Sequence, residues 1–172
     1  MRSPTQHEII ARAIDKEGGY RLVNVTGDRG GQTYAGISRR YHPNWPGWAF
    51  IDLGGRAQIA HAVDLFYIQQ FWKPLGLDLL HPHFPALAAV AYEFATMAGI
   101  GDARLLLGKV GVPTAEAARG LPLHQRMLMI YMFEHLRVEH HRNDVAKHPE
   151  QAKFFRGWVN RANETTQWIM EA

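Results

Sequence analysis

The stretch EGGYRLVNVTGDRGGQTYAGIS, residues 17–38, separates a helical pattern from a pattern of short strands. Four apolar residues before it recur at helical spacing: Ile9, Ile10, Ala13 and Ile14. Glycines adopt left-handed backbone angles at little cost, so Gly18 and Gly19 predict the end of this helix. Glu17 is therefore expected in the last helical turn, and a small β lobe is expected after it.

The pattern after Tyr20 is typical of short strands. Val23 and Val25 alternate with other residues, and the segment 32–35 forms a second candidate strand beyond the glycine-rich turn at 27–31. The next segment holds two prolines and two tryptophans: Pro43, Trp45, Pro46 and Trp48. It predicts an irregular aromatic loop, and binding residues are often carried on such loops.

The chain after Gly55 has helical patterns to its end. The predicted helices cover residues 59–73, where Pro74 ends the first of them, 85–98, 103–109, 123–142 and 149–169. The segment 85–98 is apolar on nearly all sides, which is typical of a central buried helix. We therefore expect a mainly α fold with a small β-hairpin lobe.

Composition excludes several classes of protein. The 172 residues include no cysteine, so neither a disulfide framework nor a thiolate metal site is possible. The formal charge is +3, but Lys and Arg are scattered, and no nucleic-acid partner is expected. The longest apolar stretch, Phe84 to Ala98, contains Glu93 and is shorter than a membrane span, so no stable membrane insertion is expected.

The N-terminal segment lacks the apolar core of a signal peptide, because residues 1–16 carry several charged side chains. We expect synthesis in the cytoplasm without a signal peptide. A substrate outside the membrane would then require another release route, of holin or other type.

Glu17 has the setting of a catalytic acid. Cleavage of a glycosidic bond needs a carboxylic acid that protonates the leaving oxygen. The C-terminal end of a helix carries partial negative charge, which disfavours a second negative charge there. The two glycines that follow leave the backbone open to a bulky sugar chain. A glutamate before two glycines is, however, also common at ordinary helix ends.

Asp28 on the predicted turn, with Thr33 and Tyr34 on the next strand, extends the candidate site. An acid that faces a carboxylate and a hydroxyl across a small β lobe can combine general acid, charge stabiliser and water-positioning group. The alternative for Asp28 is a turn-forming aspartate, which is common beside glycine.

These motifs resemble glycoside hydrolase family 108. The motifs are Glu17-Gly18-Gly19-Tyr20, Asp28-Arg29-Gly30-Gly31-Gln32-Thr33 and Gly36-Ile37-Ser38. Phe71-Trp72 and the segment 155–161 are similar to later parts of the family pattern. The members are N-acetylmuramidases, found as phage endolysins and as bacterial proteins once called secretion activators.

The resemblance implies a lysozyme-like helical body over residues 1–100 and a C-terminal helical, peptidoglycan-binding-like part over residues 101–172. It implies hydrolysis of the β-1,4 bond between N-acetylmuramic acid and N-acetylglucosamine, with peptidoglycan glycan strands as the partner. Glu17 matches the catalytic glutamate, while Asp28 and Thr33 match residues that line the cleft. Tyr20 would shape the pocket floor.

The chain departs from the family pattern at several positions. Arg29 replaces a proline, and the segment between Tyr20 and Asp28 is slightly longer than usual. Met97 stands where the family commonly has asparagine. A lytic transglycosylase, which also uses one glutamate, and a catalytically silent wall-binding scaffold stay open as alternatives.

Histidines and tryptophans give further candidates. His140 and His141 are adjacent, and adjacent residues point about 100° apart on a helix, so the sequence predicts no metal site and no cofactor. Trp45 and Trp48 are either platforms for sugar rings or core residues. Glu93 in its apolar helix must be paired or protonated, and Arg137 is a candidate partner.

Overall fold

A computed structural model describes residues 1–24, 31–55, 58–112 and 118–171. Within these ranges the chain forms eight α-helices, listed in chain order: α1 (Gln6–Lys16), α2 (Gly47–Asp52), α3 (Ile59–Tyr67), α4 (Leu77–Leu80), α5 (Pro85–Ala98), α6 (Ile100–Val110), α7 (Leu123–Lys147) and α8 (Ala152–Met170). A π-helical turn (Ile68–Trp72) follows α3, and a 3₁₀ turn (Pro149–Gln151) precedes α8. Three short strands form one antiparallel sheet in the order β1 (Leu22–Asn24), β2 (Gln32–Tyr34), β3 (Ile37–Ser38). The prediction of a mainly α fold with a small β lobe is confirmed.

The chain divides into two compact units. The first unit comprises Met1–Gln6 and Phe71–Ala172, and the second comprises His7–Gln70. The second unit holds the β lobe and every described residue of the candidate site. The expected functional division of the chain near residue 100 stays a prediction.

Helix α1 ends in a Schellman motif at the predicted glycines. The Gly19 N–H donates to the Ile14 carbonyl at 2.9 Å, and the Gly18 N–H donates to the Asp15 carbonyl at 3.2 Å. Both glycines have positive φ, 101° and 69°, which a side chain would disfavour. Glu17 is therefore the C-cap residue, and the predicted helix end is confirmed.

The β lobe has one more strand than the sequence predicted. Strand β2 pairs with β1 and also with β3, where Tyr34 lies opposite Ile37. Ala35 and Gly36 form the two-residue connection with φ of 49° and 76°. Positive φ at both positions defines a type I′ turn, whose twist matches that of the paired strands. Strand β3 has two residues, and so short a strand carries no recognisable alternation.

The aromatic segment predicted as an irregular loop contains α2. Trp45 and Trp48 lie in the core of the second unit, with 7% and 3% of their surface exposed. Their rings meet edge to face with centroids 5.1 Å apart. The indole nitrogen of Trp48 donates to the His42 carbonyl at 2.8 Å, and that of Trp45 donates to the Ala62 carbonyl at 3.2 Å.

The first unit is built around α5, which is buried over most of its length. Helices α4, α6, α7 and α8 pack against it. Glu93 on α5 forms ion pairs with Arg137 of α7, at 2.6 Å, and with Arg161 of α8. Arg137 is fully buried, so each charge is compensated by the other. The predicted pairing of Glu93 is confirmed.

Among the described residues, no helix combines the length and the apolar character needed to cross a membrane.

Candidate active site

Glu17 is partly buried at the C-cap of α1, and its side chain lies against the β2–β3 turn. A methyl group built on Gly36 would stand 3.0 Å from Glu17 Cβ and 3.5 Å from Glu17 Cγ. This is closer than most side-chain contacts in proteins, so only glycine lets the turn approach the acid without displacing it. The contact fixes the stem of Glu17 from one side.

Tyr67 supports the same turn. Its hydroxyl donates to the Ala35 carbonyl at 2.9 Å, and its side chain is 3% exposed. The same hydroxyl oxygen would stand 2.8 Å from a methyl group on Gly36. A buried phenol needs a hydrogen-bond partner, and this one uses it to hold the turn that lies against Glu17.

Tyr20 follows the two glycines and stands at the surface, with 42% of its side chain exposed. Its hydroxyl donates to Asp64 on α3 at 3.3 Å. Partial burial, followed by the nearby Asp64 carboxylate, raises the pKa of Tyr20 to about 12. The phenol is therefore a neutral hydrogen-bond donor at physiological pH.

A cavity of about 420 Å³ opens between the β lobe and α2–α3. Its lining is mostly apolar with two phenol rings, contributed by Tyr20, Leu22, Tyr34, Phe50, Ile51, Gly54 and Ile59. Tyr20 and Tyr34, both residues of the predicted site, line this cavity together. Amphipathic rings beside an apolar floor suit the faces and edges of sugars.

Thr33 lies at the centre of β2, opposite Ser38 on one neighbour and Val23 on the other. Successive strand residues point to opposite faces, so Thr33 and Tyr34 do not share a face. Asp28 lies outside the residues that the structure describes. The predicted roles of Thr33 and Asp28 beside Glu17 stay predictions.

Trp45 and Trp48, predicted either as sugar platforms or as core residues, lie in the core of the second unit. Their burial leaves little ring surface for a ligand, and Arg39 covers Trp48 with its guanidinium carbon 5.1 Å from the ring centroid. The centroids of Tyr34 and Trp45 lie 6.3 Å apart with the rings 26° from parallel. Burial and these contacts favour the second interpretation, in which the tryptophans are core residues that support Tyr34.

Two residues of this region were missed at the sequence level. Tyr67 and Asp64 lie in an amphipathic helix, where their spacing is indistinguishable from that of ordinary core and surface positions. The one signal for Tyr67 is its hydroxyl group on the apolar face of this helix, where a polar atom needs a hydrogen-bond partner. The described residues hold one cluster of potential metal ligands, His140, His141 and Asp144 on α7, which includes none of the predicted site residues.

Comparison with known proteins identifies one family. The family model described as glycosyl hydrolase 108 matches residues 10–99, which is more than half of the chain. The matched segment includes Glu17, the β lobe and the cavity. No curated protein and no solved structure matches the chain.

Proposed function

The chain belongs to the glycosyl hydrolase 108 family, and from this membership we propose that it is a muramidase acting on peptidoglycan. The proposed reaction is hydrolysis of the β-1,4 bond between N-acetylmuramic acid and N-acetylglucosamine. The observation that carries the proposal is the position of Glu17, at the end of α1 and against Gly36 of the turn.

The proposed role of Glu17 is that of general acid. It protonates the glycosidic oxygen as the bond to the anomeric carbon breaks and positive charge develops on the sugar ring. Such a proton transfer requires a carboxyl group held within hydrogen-bond reach of one oxygen. The Schellman end of α1 fixes the backbone of Glu17, and Gly36 restricts its side-chain stem.

We propose that Asp28 or Thr33 supplies the second catalytic group. A carboxylate near the anomeric carbon stabilises the developing positive charge, whereas a hydroxyl orients the attacking water. The family resemblance of the two residues supports this division. Water adds to the anomeric carbon, and its proton leaves to the carboxylate or to solvent.

The proposed sugar-binding surface is the cavity beside Tyr20 and Tyr34. The hydrogen bond to Asp64 restrains the Tyr20 ring, so a sugar face can pack on it with little loss of side-chain entropy. The formal charge of +3 favours approach to the anionic wall polymer. We also propose that the enzyme acts in the periplasm or cell wall after release from the cytoplasm.

The deciding experiment is loss of turbidity of purified Gram-negative peptidoglycan by the wild type and by Glu17→Gln. The amide keeps the size of the side chain but has no acid proton, so the rate should fall by roughly 10²- to 10⁴-fold. Glu8→Gln, the same change at the other end of α1, is the matched control and should keep the wild-type rate. Equal clearing by all three proteins would exclude Glu17 as the acid, and no clearing by the wild type would exclude the muramidase.

Product mass separates hydrolysis from lytic transglycosylation. Hydrolysis adds one water to each cleaved strand, whereas a transglycosylase closes an anhydro ring and adds none. Mass spectrometry of the soluble fragments should find the hydrated products. Anhydro products would keep Glu17 as the acid but overturn the hydrolytic reaction.

A further inference from the structure

Helix α7 brings three metal-ligating side chains together outside the candidate active site. The donor atoms of His140, His141 and Asp144 all lie within 4.8 Å of one another. Nε2 of His140 stands 3.0 Å from a carboxylate oxygen of Asp144, one helical turn away. Asp102 on α6 faces the same nitrogen at 3.9 Å. His140 and His141 leave the helix about 100° apart, but their side chains are long enough for the ring nitrogens to converge.

Among the residues that the structure describes, one nitrogen of the buried His141 ring has no polar partner. Its side chain is 4% exposed, and within the described part of the chain its Nε2 atom has no hydrogen-bond partner. Its ring stacks on Trp158 with centroids 4.8 Å apart. A ring nitrogen without a hydrogen-bond partner can donate its lone pair to a metal ion.

The surroundings also suit a cation. A cavity of about 510 Å³ opens beside the cluster. Its charged lining consists of three carboxylates and two lysines: Asp102, Glu139, Asp144, Lys109 and Lys147. The buried cation Arg137, on the same helix, is paired with Glu93 at 2.6 Å. Carboxylates thus outnumber the lysines at the cavity wall.

We propose that His140, His141 and Asp144 bind a first-row divalent metal ion of the Zn²⁺ type, with Asp102 as the fourth ligand. Two imidazoles and carboxylates favour such ions, whereas Ca²⁺ and Mg²⁺ prefer oxygen ligands alone. Neighbouring donors around a tetrahedral zinc stand roughly 3.3 Å apart for zinc bonds near 2.0 Å. The distances from His140 Nε2 to Asp144 and to Asp102, 3.0 Å and 3.9 Å, lie on either side of that spacing. The ion would link α6 to α7 within the first unit.

The test is titration of the untagged full chain with Zn²⁺ alone, followed by calorimetry and by thermal unfolding. One ion per chain and a higher Tm are expected for the wild type. His140→Gln and Asp144→Asn should each weaken binding by roughly a hundredfold, and Asp102→Asn by about tenfold. His135→Gln, an exposed histidine on the same helix, is the matched control and should bind as the wild type does.

A second measurement distinguishes the loss of a metal ligand from poor folding of a variant. Co²⁺ replaces Zn²⁺ in such sites and has visible absorption that depends on its ligands, so the wild-type spectrum should be lost in Asp144→Asn, whose side chain is partly exposed. Circular dichroism confirms that each variant is folded. Equal binding by the wild type and Asp144→Asn, or no bound ion in the wild type, would overturn the site. Neither readout depends on the proposed muramidase activity.

Discussion

Gly36 lies so close to Glu17 that a methyl group on the glycine would stand 3.0 Å from Cβ of the glutamate. The turn between β2 and β3 thus serves as a wall for the proposed catalytic acid. Tyr67 holds this wall through its bond to the Ala35 carbonyl. The position of the acid therefore depends on a turn of two residues and on one buried phenol.

Gly36→Ala is expected to reduce activity strongly. The added methyl group strains a backbone with φ of 76° and pushes on both Glu17 and the Tyr67 hydroxyl. A displacement of the acid by about 1 Å can reduce the rate by roughly 10²-fold. The measurement is the initial rate of peptidoglycan clearing, with the urea midpoint recorded for the same sample.

The matched control is Gly76→Ala in the first unit. Gly76 has φ of 71°, but a methyl group there would meet nothing within 4 Å. Backbone strain should cost each variant about 1 kcal/mol of unfolding free energy, and Gly36→Ala should lose more because of its close contacts. Only Gly36→Ala should clear peptidoglycan more slowly than the wild type. Equal activity of the two variants would contradict the role of Gly36 as a wall.

Tyr67→Phe should lower the unfolding free energy by about 1–3 kcal/mol, because the Ala35 carbonyl loses its donor in a buried place. We expect kcat to fall while KM changes little, since the turn positions the acid and leaves the sugar cavity in place. Chemical unfolding and steady-state kinetics on soluble glycan fragments test both effects. A change in KM alone would assign Tyr67 to substrate binding.

The fold was largely predictable because its signals are local. Four apolar residues and two glycines define α1, and the apolar segment 85–98 defines α5 to the residue. Helix α7 was predicted to end at Arg142 and continues to Lys147, since neither glycine nor proline interrupts it before Pro149. Helix α2 was missed because it is six residues long, too short for a periodic pattern.

The candidate site was predictable only in part. A helix end before two glycines indicated Glu17, and the motif Glu17-Gly18-Gly19-Tyr20 indicated Tyr20. The wall formed by Gly36 and Tyr67 joins residues that are distant along the chain, and no spacing rule relates them. The same holds for the tryptophans, because an aromatic loop at the surface and an aromatic core give the same composition.

Substitutions of Trp48 and of Tyr20 should have different effects, the first on stability and the second on sugar binding. Trp48→Phe removes the donor of a partly buried hydrogen bond to the His42 carbonyl and should cost about 1 kcal/mol of unfolding free energy with KM unchanged. Tyr20→Ala, at an exposed ring, should raise KM for glycan fragments with a smaller effect on stability. A raised KM in folded Trp48→Phe would restore the tryptophan as a sugar platform.

The buried Glu134 on α7 should make the stability of the first unit depend on pH. Burial, opposed by Arg137, raises the pKa of Glu134 from 4.5 to about 7. Below pH 4.5 the carboxyl is protonated in both folded and unfolded chains. As pH rises from there to 7, the unfolded chain releases the proton first, so this group's contribution to stability is progressively lost.

Glu134→Gln should therefore stabilise the protein at pH 8 by a few kcal/mol relative to its effect at pH 4.5, because the amide carries no charge to bury. Burial lowers the pKa of His141 from 6.5 to about 4, so the contribution of His141 to stability grows as pH rises. Because His141 is present in both proteins, this contribution cancels in the difference between them. Urea unfolding at the two pH values measures that difference. Glu139→Gln, in a half-exposed ion pair on the same helix, should stay within about 0.5 kcal/mol at both. A difference for Glu134→Gln that does not change with pH would mean that the folded protein ionises Glu134 as readily as the unfolded chain does.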